Sequence, residues 1–328
     1  MDHHQRMITN IKRLFGVGCF VAASIALTSC STDTAADTDI TDDSDACRDN
    51  PFALQVLGSG GPIADDHRAG ASNILWVDGK AKLLIDAGSG AFVRYGEAAV
   101  DFKDHDAVLL THLHGDHASG LPALLNNGGF AKRTEGLTIA GPAGNEQFPA
   151  TSEYLNALVG KESGALRYLH PYLDENDALP RLTVQNIDTS KTGLQRIWDK
   201  DGLQVDAIAV NHLNVPALAY VISAKGKTII FAGDQSFLSE DFIAALSGTK
   251  PDLLVMHNAI TMAEGQPRGL HRDPQSIGET AAALDAQTLL LTHHMQRAVK
   301  VQSEVNAAIA ENYSGPVLLA DDLSCHPL

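Results

Sequence analysis

The sequence predicts an α/β fold in which helices cover sheets, and three observations lead to it. Short runs rich in Leu and β-branched residues recur from Phe52 onward, each bounded by Gly, Asp, Asn or Lys. Amphipathic stretches of helical length are scattered among them rather than gathered at one end. Hydrophobic residues make up 44% of the 328, enough to bury a sizeable core and to exclude whole-chain disorder. Taken in order, the apolar runs predict strands at 53–57, 73–77, 82–86, 107–111, 137–140, 203–210, 217–223, 228–232, 253–256, 288–292 and 317–320. The amphipathic stretches predict helices at 152–159, 240–246, 274–284 and 301–311. Pro274 suits a first helical turn, with Asp273 as its cap. No linker interrupts 51–328, which reads as one large domain.

The first fifty residues read as an address and a tether. A polar start ends in Lys12-Arg13, and Leu14 to Leu27 then run apolar or small before Thr28-Ser29-Cys30. That pattern is a secretory signal over 1–29, too short and too glycine-interrupted for a spanning helix. Leu27-Thr28-Ser29-Cys30 resembles the bacterial lipobox, which implies lipidation of Cys30 and an extracytoplasmic lipoprotein anchored in the periplasm or at the cell surface. The alternative is ordinary secretion with Cys30 as a bystander. Residues 31–50 hold seven Asp against Arg48, so 30–50 is expected to be a lipidated Cys followed by a disordered, self-repelling spacer. Cys47 and Cys325 flank the body. In an oxidising compartment a disulfide between them is the natural pairing, the alternative being two unpaired thiols.

The chemistry concentrates in Thr111-His112-Leu113-His114-Gly115-Asp116-His117, directly after an apolar strand. Three imidazoles and a carboxylate this close cannot all be core residues, and both are usual ligands for zinc-like cations. In an extended segment His112 and His114 point the same way. Gly115 then permits a turn that brings Asp116 and His117 to a second position nearby.

Here the sequence resembles the metallo-β-lactamase superfamily, whose signature is His-x-His-x-Asp-His. The opening Leu57-Gly58-Ser59-Gly60-Gly61-Pro62, then Arg68, Ser72 and Leu83-Leu84-Ile85-Asp86-Ala87-Gly88, is similar to the ribonuclease Z and arylsulfatase-like branch. Gly141-Pro142-Ala143-Gly144, Val210-Asn211-His212, Phe231-Ala232-Gly233-Asp234 and Leu291-Thr292-His293 follow in the matching order. The resemblance implies a four-layer αββα sandwich with metals at one edge of its two sheets. It implies that His112, His114 and His212 hold one divalent cation and that Asp116, His117 and His293 hold a second. Asp234 would bridge the two. Zinc is the first candidate for both cations, with manganese or iron as alternatives. A water between two such cations, about 3.5–4 Å apart, becomes a hydroxide nucleophile near neutral pH. His170 is a rival for His212, and His294 for His293. Asp86 and His257 are implied to orient the ligand side chains. Asp116 and His271 are the candidate catalytic residues, His271 as proton donor to the leaving group. At His257-Asn258-Ala259 the family pattern has a carboxylate where this chain has Asn258.

The expected activity is hydrolysis of a phosphodiester or sulfate ester. A lactone, β-lactam or carboxylic ester is the alternative substrate, and a non-catalytic metal-binding surface lipoprotein the alternative class. The chain carries a formal charge of −16, with 32 acidic against 20 basic residues over 51–328. So acidic a surface repels phosphate backbones. Together with the extracytoplasmic address, and the lack of a long insertion between His212 and Asp234, it predicts a small-molecule ester rather than nucleic acid as substrate.

Overall fold

The computed structural model describes residues 43–174 and 179–328. The signal expected at 1–29, the lipidation expected at Cys30 and the spacer expected up to 42 all fall outside the described residues. The spacer was expected to continue to 50, and this is corrected: α1 (Asp43–Arg48) is helical and docked. Cys47 is fully buried and disulfide-bonded to Cys325, with Cα atoms 5.6 Å apart. Arg48 donates to the Ala98 and Ala99 carbonyls at 2.6 and 2.9 Å. An acidic composition does not stop a segment folding when one buried cross-link and one guanidinium that donates several hydrogen bonds hold it.

The chain then forms β1 (Phe52–Gly58), β2 (Ser72–Val77) and β3 (Lys80–Ala87), followed by α2 (Ala91–Glu97) and β4 (Ala107–Leu109). Next come α3 (Gly115–Ala118), α4 (Leu121–Gly128), β5 (Leu137–Pro142), α5 (Thr151–Val159) and β6 (Leu182–Ile187). The second half begins with β7 (Gln195–Lys200), β8 (Leu203–His212), β9 (Val215–Ala224) and β10 (Lys227–Phe231). It continues through α6 (Glu240–Leu246), β11 (Leu253–His257), α7 (Pro274–Ala283) and β12 (Leu289–Thr292). It closes with α8 (Gln296–Val299), α9 (Gln302–Ala310), β13 (Val317–Leu319) and β14 (Cys325–Pro327). Two mixed sheets result, in the orders β14-β1-β2-β3-β4-β5-β6 and β13-β12-β11-β10-β9-β8-β7. Each is antiparallel at one end and parallel at the other, with β3 to β6 and β10 to β13 running parallel.

Alternation along the strands builds the layers. Leu83 and Ile85 face a core shared with Val205, Leu218, Tyr220 and Phe231 of the second sheet. Leu84 faces the opposite way, onto Tyr95 of α2 and Leu124 of α4. In the second sheet Ile230 and Ala219 turn outward to Phe242 of α6, Ile277 of α7 and Ile309 of α9. The order is helix, sheet, sheet, helix. Both faces of the central strands are covered, which is why they read as near-continuous apolar runs.

The sheets meet at one edge, where the Leu218 N–H donates to the Thr111 carbonyl (2.9 Å) and the Tyr220 hydroxyl to the Leu110 carbonyl (2.7 Å). These bonds fix the segment after β4 against β9. The C-terminal ends of β3, β8, β10, β11 and β12 carry Asp86, His212, Asp234, His257 and His293 to that same edge.

Candidate metal centre

Beyond β4 the chain turns through His114 into α3, whose single turn is closed by the His117 and Ala118 N–H groups donating to the His114 carbonyl. This places His112 and His114 before the turn, and Asp116 and His117 on it. His112, His114, His212 and Asp234 present ligand atoms that all lie within 4.8 Å of one another, as do those of Asp116, His117 and His293. Asp234 stands between the groups. Its Oδ2 is 3.5 Å from His212 Nε2, 3.8 Å from His112 Nε2 and 3.9 Å from His117 Nε2, and its Oδ1 is 3.6 Å from His293 Nε2.

The donor set fits divalent cations on a specific observation. His117 Nδ1 is held by Asp86 Oδ2 at 2.8 Å, and His212 Nδ1–H donates to the Leu270 carbonyl at 2.9 Å. In both rings Nε2 is buried, faces the Asp234 carboxylate and has no hydrogen-bond partner. A buried, unpaired nitrogen is costly, and a ring fixed at Nδ1 with Nε2 turned toward a carboxylate is arranged to ligate.

The charges support this arrangement. Burial raises the Asp234 carboxyl, but His293, His271 and His257 around it hold it well below the usual carboxylate range. Burial likewise opposes ionisation of Asp116, yet the hydrogen bond from His293 and the charge of His117 bring it down to about 2. Both carboxylates are therefore ionised at neutral pH. Burial pushes the His112 and His114 imidazoles down, toward the neutral form that binds metal. Burial also lowers His117, but Asp86 outweighs it and lifts the ring to about 9, so a cation binding there displaces a proton.

The remaining candidates fall as follows. His257 Nδ1 bonds Asp234 Oδ1, orienting that carboxylate. His271 Nδ1 lies 3.7 Å from the same oxygen. Asn258 is buried and turned away: its amide donates to His294 Nδ1 (3.0 Å) and Gln302 Oε1 (2.7 Å). His294 Nε2 bonds the Ala320 carbonyl, so both its nitrogens are engaged away from the cluster. His170 is half-buried outside the cluster, 3.8 Å from Asp174. Three contributors escaped the sequence reading. Thr111 donates N–H and Oγ1 to Asp86 at 2.7 and 2.8 Å. The Leu270 carbonyl fixes His212. The buried Arg272 ties the His271 loop to the Asp234 loop through Gln235 Oε1 (3.2 Å) and the Ser239 carbonyl (3.3 Å). A backbone carbonyl leaves no sequence signal, but an Arg beside the motif histidine was one that could have been read.

Comparison with known proteins agrees with this geometry. The sequence matches the metallo-beta-lactamase superfamily over residues 67–293. It is 29% identical over 280 residues to a ribonuclease Z of Mycolicibacterium paratuberculosis, covering 82% of this chain and 96% of that protein. A ribonuclease Z of Mycobacterium marinum is 28% identical over the same length. Among solved structures, the metallo-beta-lactamase fold protein YhfI from Bacillus subtilis superposes with a TM-score of 0.65 at 19% identity, covering 84% of this chain and 99% of that one. Human tRNase Z, short form, superposes with a TM-score of 0.63 at 20% identity, covering 83% and 98%. The chain belongs to the metallo-beta-lactamase superfamily. It is a metal-dependent hydrolase.

These relatives correct one expectation. A small-molecule ester partner, with nucleic acid set aside, does not stand against ribonuclease Z proteins matched over 96% of their length. The charge argument failed because net charge averages the whole surface. What a phosphate backbone meets is the field of the mouth it enters, where bound cations are the largest local charges.

Proposed function

We propose that this chain is a dinuclear metal-dependent phosphodiesterase acting on RNA. The observation that carries the reading is the Asp234 carboxylate, within 4 Å of imidazole nitrogens from both ligand groups. His112, His114 and His212 would hold one cation and Asp116, His117 and His293 the other, with Asp234 shared. Zinc is the first candidate given nitrogen and carboxylate donors. Bound there, the cations supply Lewis acidity, a water of lowered pKa and charge neutralisation for the phosphate. The relatives named ribonuclease Z support a phosphodiester of RNA as the substrate.

The protein's own part is positioning and proton transfer. Asp86 and the Leu270 carbonyl fix two ligand rings at Nδ1, and His257 fixes the shared carboxylate. His271 delivers the proton to the leaving oxygen. Its ring is buried, which pushes it down to about 3 against the opposing Asp234 carboxylate, so this role requires the substrate phosphate to raise it.

The test is metal analysis together with turnover of an RNA oligonucleotide, bis(p-nitrophenyl) phosphate and a lactone. The proposal expects about two metals per chain and cleavage of both phosphodiesters, with metal and activity lost together in Asp234→Ala. A stoichiometry near zero under metal-replete conditions, or turnover of the lactone alone, overturns it.

We also propose that residues 1–30 export and lipidate the protein, so that its RNA is met outside the cytoplasm. The apolar stretch ending in Leu27-Thr28-Ser29-Cys30 supports this. Cys30→Ser is expected to release the protein from membranes or to block its maturation. Unchanged membrane fractionation and mass in that variant argue against lipidation.

A further inference from the structure

Four hairpins close through two-residue turns, and the one at the ligand cluster departs from the other three. Asp78-Gly79, Asp201-Gly202 and Lys225-Gly226 join β2 to β3, β7 to β8 and β9 to β10, with every residue at φ between +50° and +78°. A polar residue followed by glycine suits such turns. The β8–β9 turn, directly after His212, carries Leu213-Asn214 instead. Leu213 sits at φ +55°, where a bulky side chain crowds its own backbone, and that side chain is 58% exposed. Neither core packing nor turn chemistry calls for leucine there.

What Leu213 touches is the loop that carries His271. It lies against Gly269 so closely that a Cβ on that glycine would come within 2.9 Å of Leu213 Cδ2. The next residue supplies the Leu270 carbonyl to His212 Nδ1 (2.9 Å), and the one after is His271. The His271 ring centre is 5.6 Å from that of His212 and 5.7 Å from that of His293. Its buried Nδ1 makes no hydrogen bond among the described residues, so the aim of the ring depends on where its loop sits. The turn itself is pinned. The Asn214 carbonyl accepts from Asn145 Nδ2 (2.8 Å), Asn214 Nδ2 donates to Gln147 Oε1, and the Leu213 N–H donates to Asn211 Oδ1 (3.4 Å). A strained residue persists where its surroundings over-determine it, and such residues gather at functional sites.

We propose that Leu213 is a positioning residue, held in a strained turn so that its side chain braces Gly269 and thereby sets the Leu270 carbonyl and the His271 ring. The proposal rests on the proton-donor role given to His271 above. The strain lowers stability, and a largely exposed side chain offsets little of it. Glycine at this position would relieve the crowding, since it adopts a positive φ freely, and would remove the brace at the same time.

The experiment compares Leu213→Gly, Leu213→Met and His271→Ala in the full chain. Asp201→Gly, in the turn between β7 and β8 at φ +53°, is the control for relief of strain alone. Leu213→Gly is expected to melt no lower than the wild type. At saturating metal it is expected to lose kcat on RNA about 10- to 100-fold and far less on bis(p-nitrophenyl) phosphate. Chelator competition should show its metal affinity about tenfold weaker, because His212 loses a fixed carbonyl. Leu213→Met keeps the apolar reach and should retain activity and metal affinity, as should Asp201→Gly. Equal losses on the two substrates in Leu213→Gly, where His271→Ala loses unequally, overturn the brace alone. So does a Leu213→Gly protein with wild-type kinetics and affinity. Equal losses in His271→Ala, or a wild type that cleaves no RNA, overturn the reading above. Chelator competition then decides the brace, and unchanged affinity in Leu213→Gly overturns it.

Discussion

Asp86 Oδ2 and His117 Nδ1 stand 2.8 Å apart in a fully buried pair, and Asp86 Oδ1 accepts the Thr111 backbone N–H at 2.7 Å. One carboxylate at the end of β3 thus sets both the ring of a candidate ligand and the path of the chain leaving β4. Asp86 itself sits at φ +58°, a left-handed conformation that Asp tolerates better than most residues.

Removing that pairing should weaken metal binding without unfolding the protein. Asp86→Asn is expected to lower metal affinity about 10- to 100-fold, because the ring loses orientation and basicity. Competition against a chelator measures it. Asp86→Ala should in addition leave the Thr111 N–H unpaired, costing about 1–3 kcal/mol of stability. Wild-type affinity in Asp86→Asn would show that the ligand rings need no such support.

The disulfide between Cys47 and Cys325 should contribute about 2–4 kcal/mol, since it closes a loop spanning 278 positions. Replacing both cysteines by Ala should lower Tm accordingly and free α1 first, a segment held otherwise mainly by Arg48, which also lies 5.3 Å over the Trp76 ring. Reductant should lower Tm of the wild type and leave the double variant unmoved. Equal Tm for the two proteins in the absence of reductant would remove the disulfide from the stability argument.

Acid stability offers a test far from the metals. His105 is fully buried beside the Tyr95 hydroxyl (2.9 Å), and burial pushes its imidazole down to about 3. Its folded pKa lies below the unfolded value of about 6.5, so between the two the unfolded chain binds the extra proton. Stability from the neutral ring is complete above about pH 6.5 and is lost as pH falls toward 3, by at most about 1.4 kcal/mol per pH unit. His105→Asn should remove that part of the slope. Urea midpoints at pH 7.5 and 5.0 decide it, and parallel slopes for wild type and variant would count against the assignment.

The sequence made the central strands and the ligand motif legible for the same reason. Strands covered on both faces carry apolar runs such as 83–85 and 253–256, and each ends abruptly at a polar residue that belongs to the site. β7 was missed because it is an edge strand with exposed Arg196 and Asp199, whose pattern lacks a buried face. β14 was missed because Cys325-His326-Pro327 carries no apolar run, unlike the equally short β4 and β13. α3 carries Asp116 and His117 on four residues, short enough to read as a turn. Strand alternation allowed only one of His293 and His294 to face the metals and the family resemblance chose His293, whereas Thr111, Leu270 and Arg272 act through contacts between segments far apart in sequence. The substrate was misread because a whole-chain charge was made to speak for one mouth.

The assignment of His271 can be tested by leaving-group chemistry. The family-type carboxylate near this histidine is absent, since Asn258 is engaged with His294 and Gln302, and the acid facing His271 is Asp234 at 3.7 Å. A proton from His271 matters when the departing oxygen is strongly basic, as the ribose hydroxyl of RNA is, and little when it is p-nitrophenolate. His271→Ala should therefore cut kcat about 10²- to 10⁴-fold on RNA and far less on bis(p-nitrophenyl) phosphate. Metal content should not change, because the ring is not among the seven assigned ligands. Metal analysis also guards against an indirect effect, since the neighbouring Leu270 carbonyl holds His212 and a displaced loop would release metal. Equal losses on both substrates with metal retained would mean that His271 positions the phosphate rather than delivering the proton. Loss of metal with the side chain would mean that His271 either is a ligand or holds the loop that fixes His212, and would leave the proton-donor role unsupported.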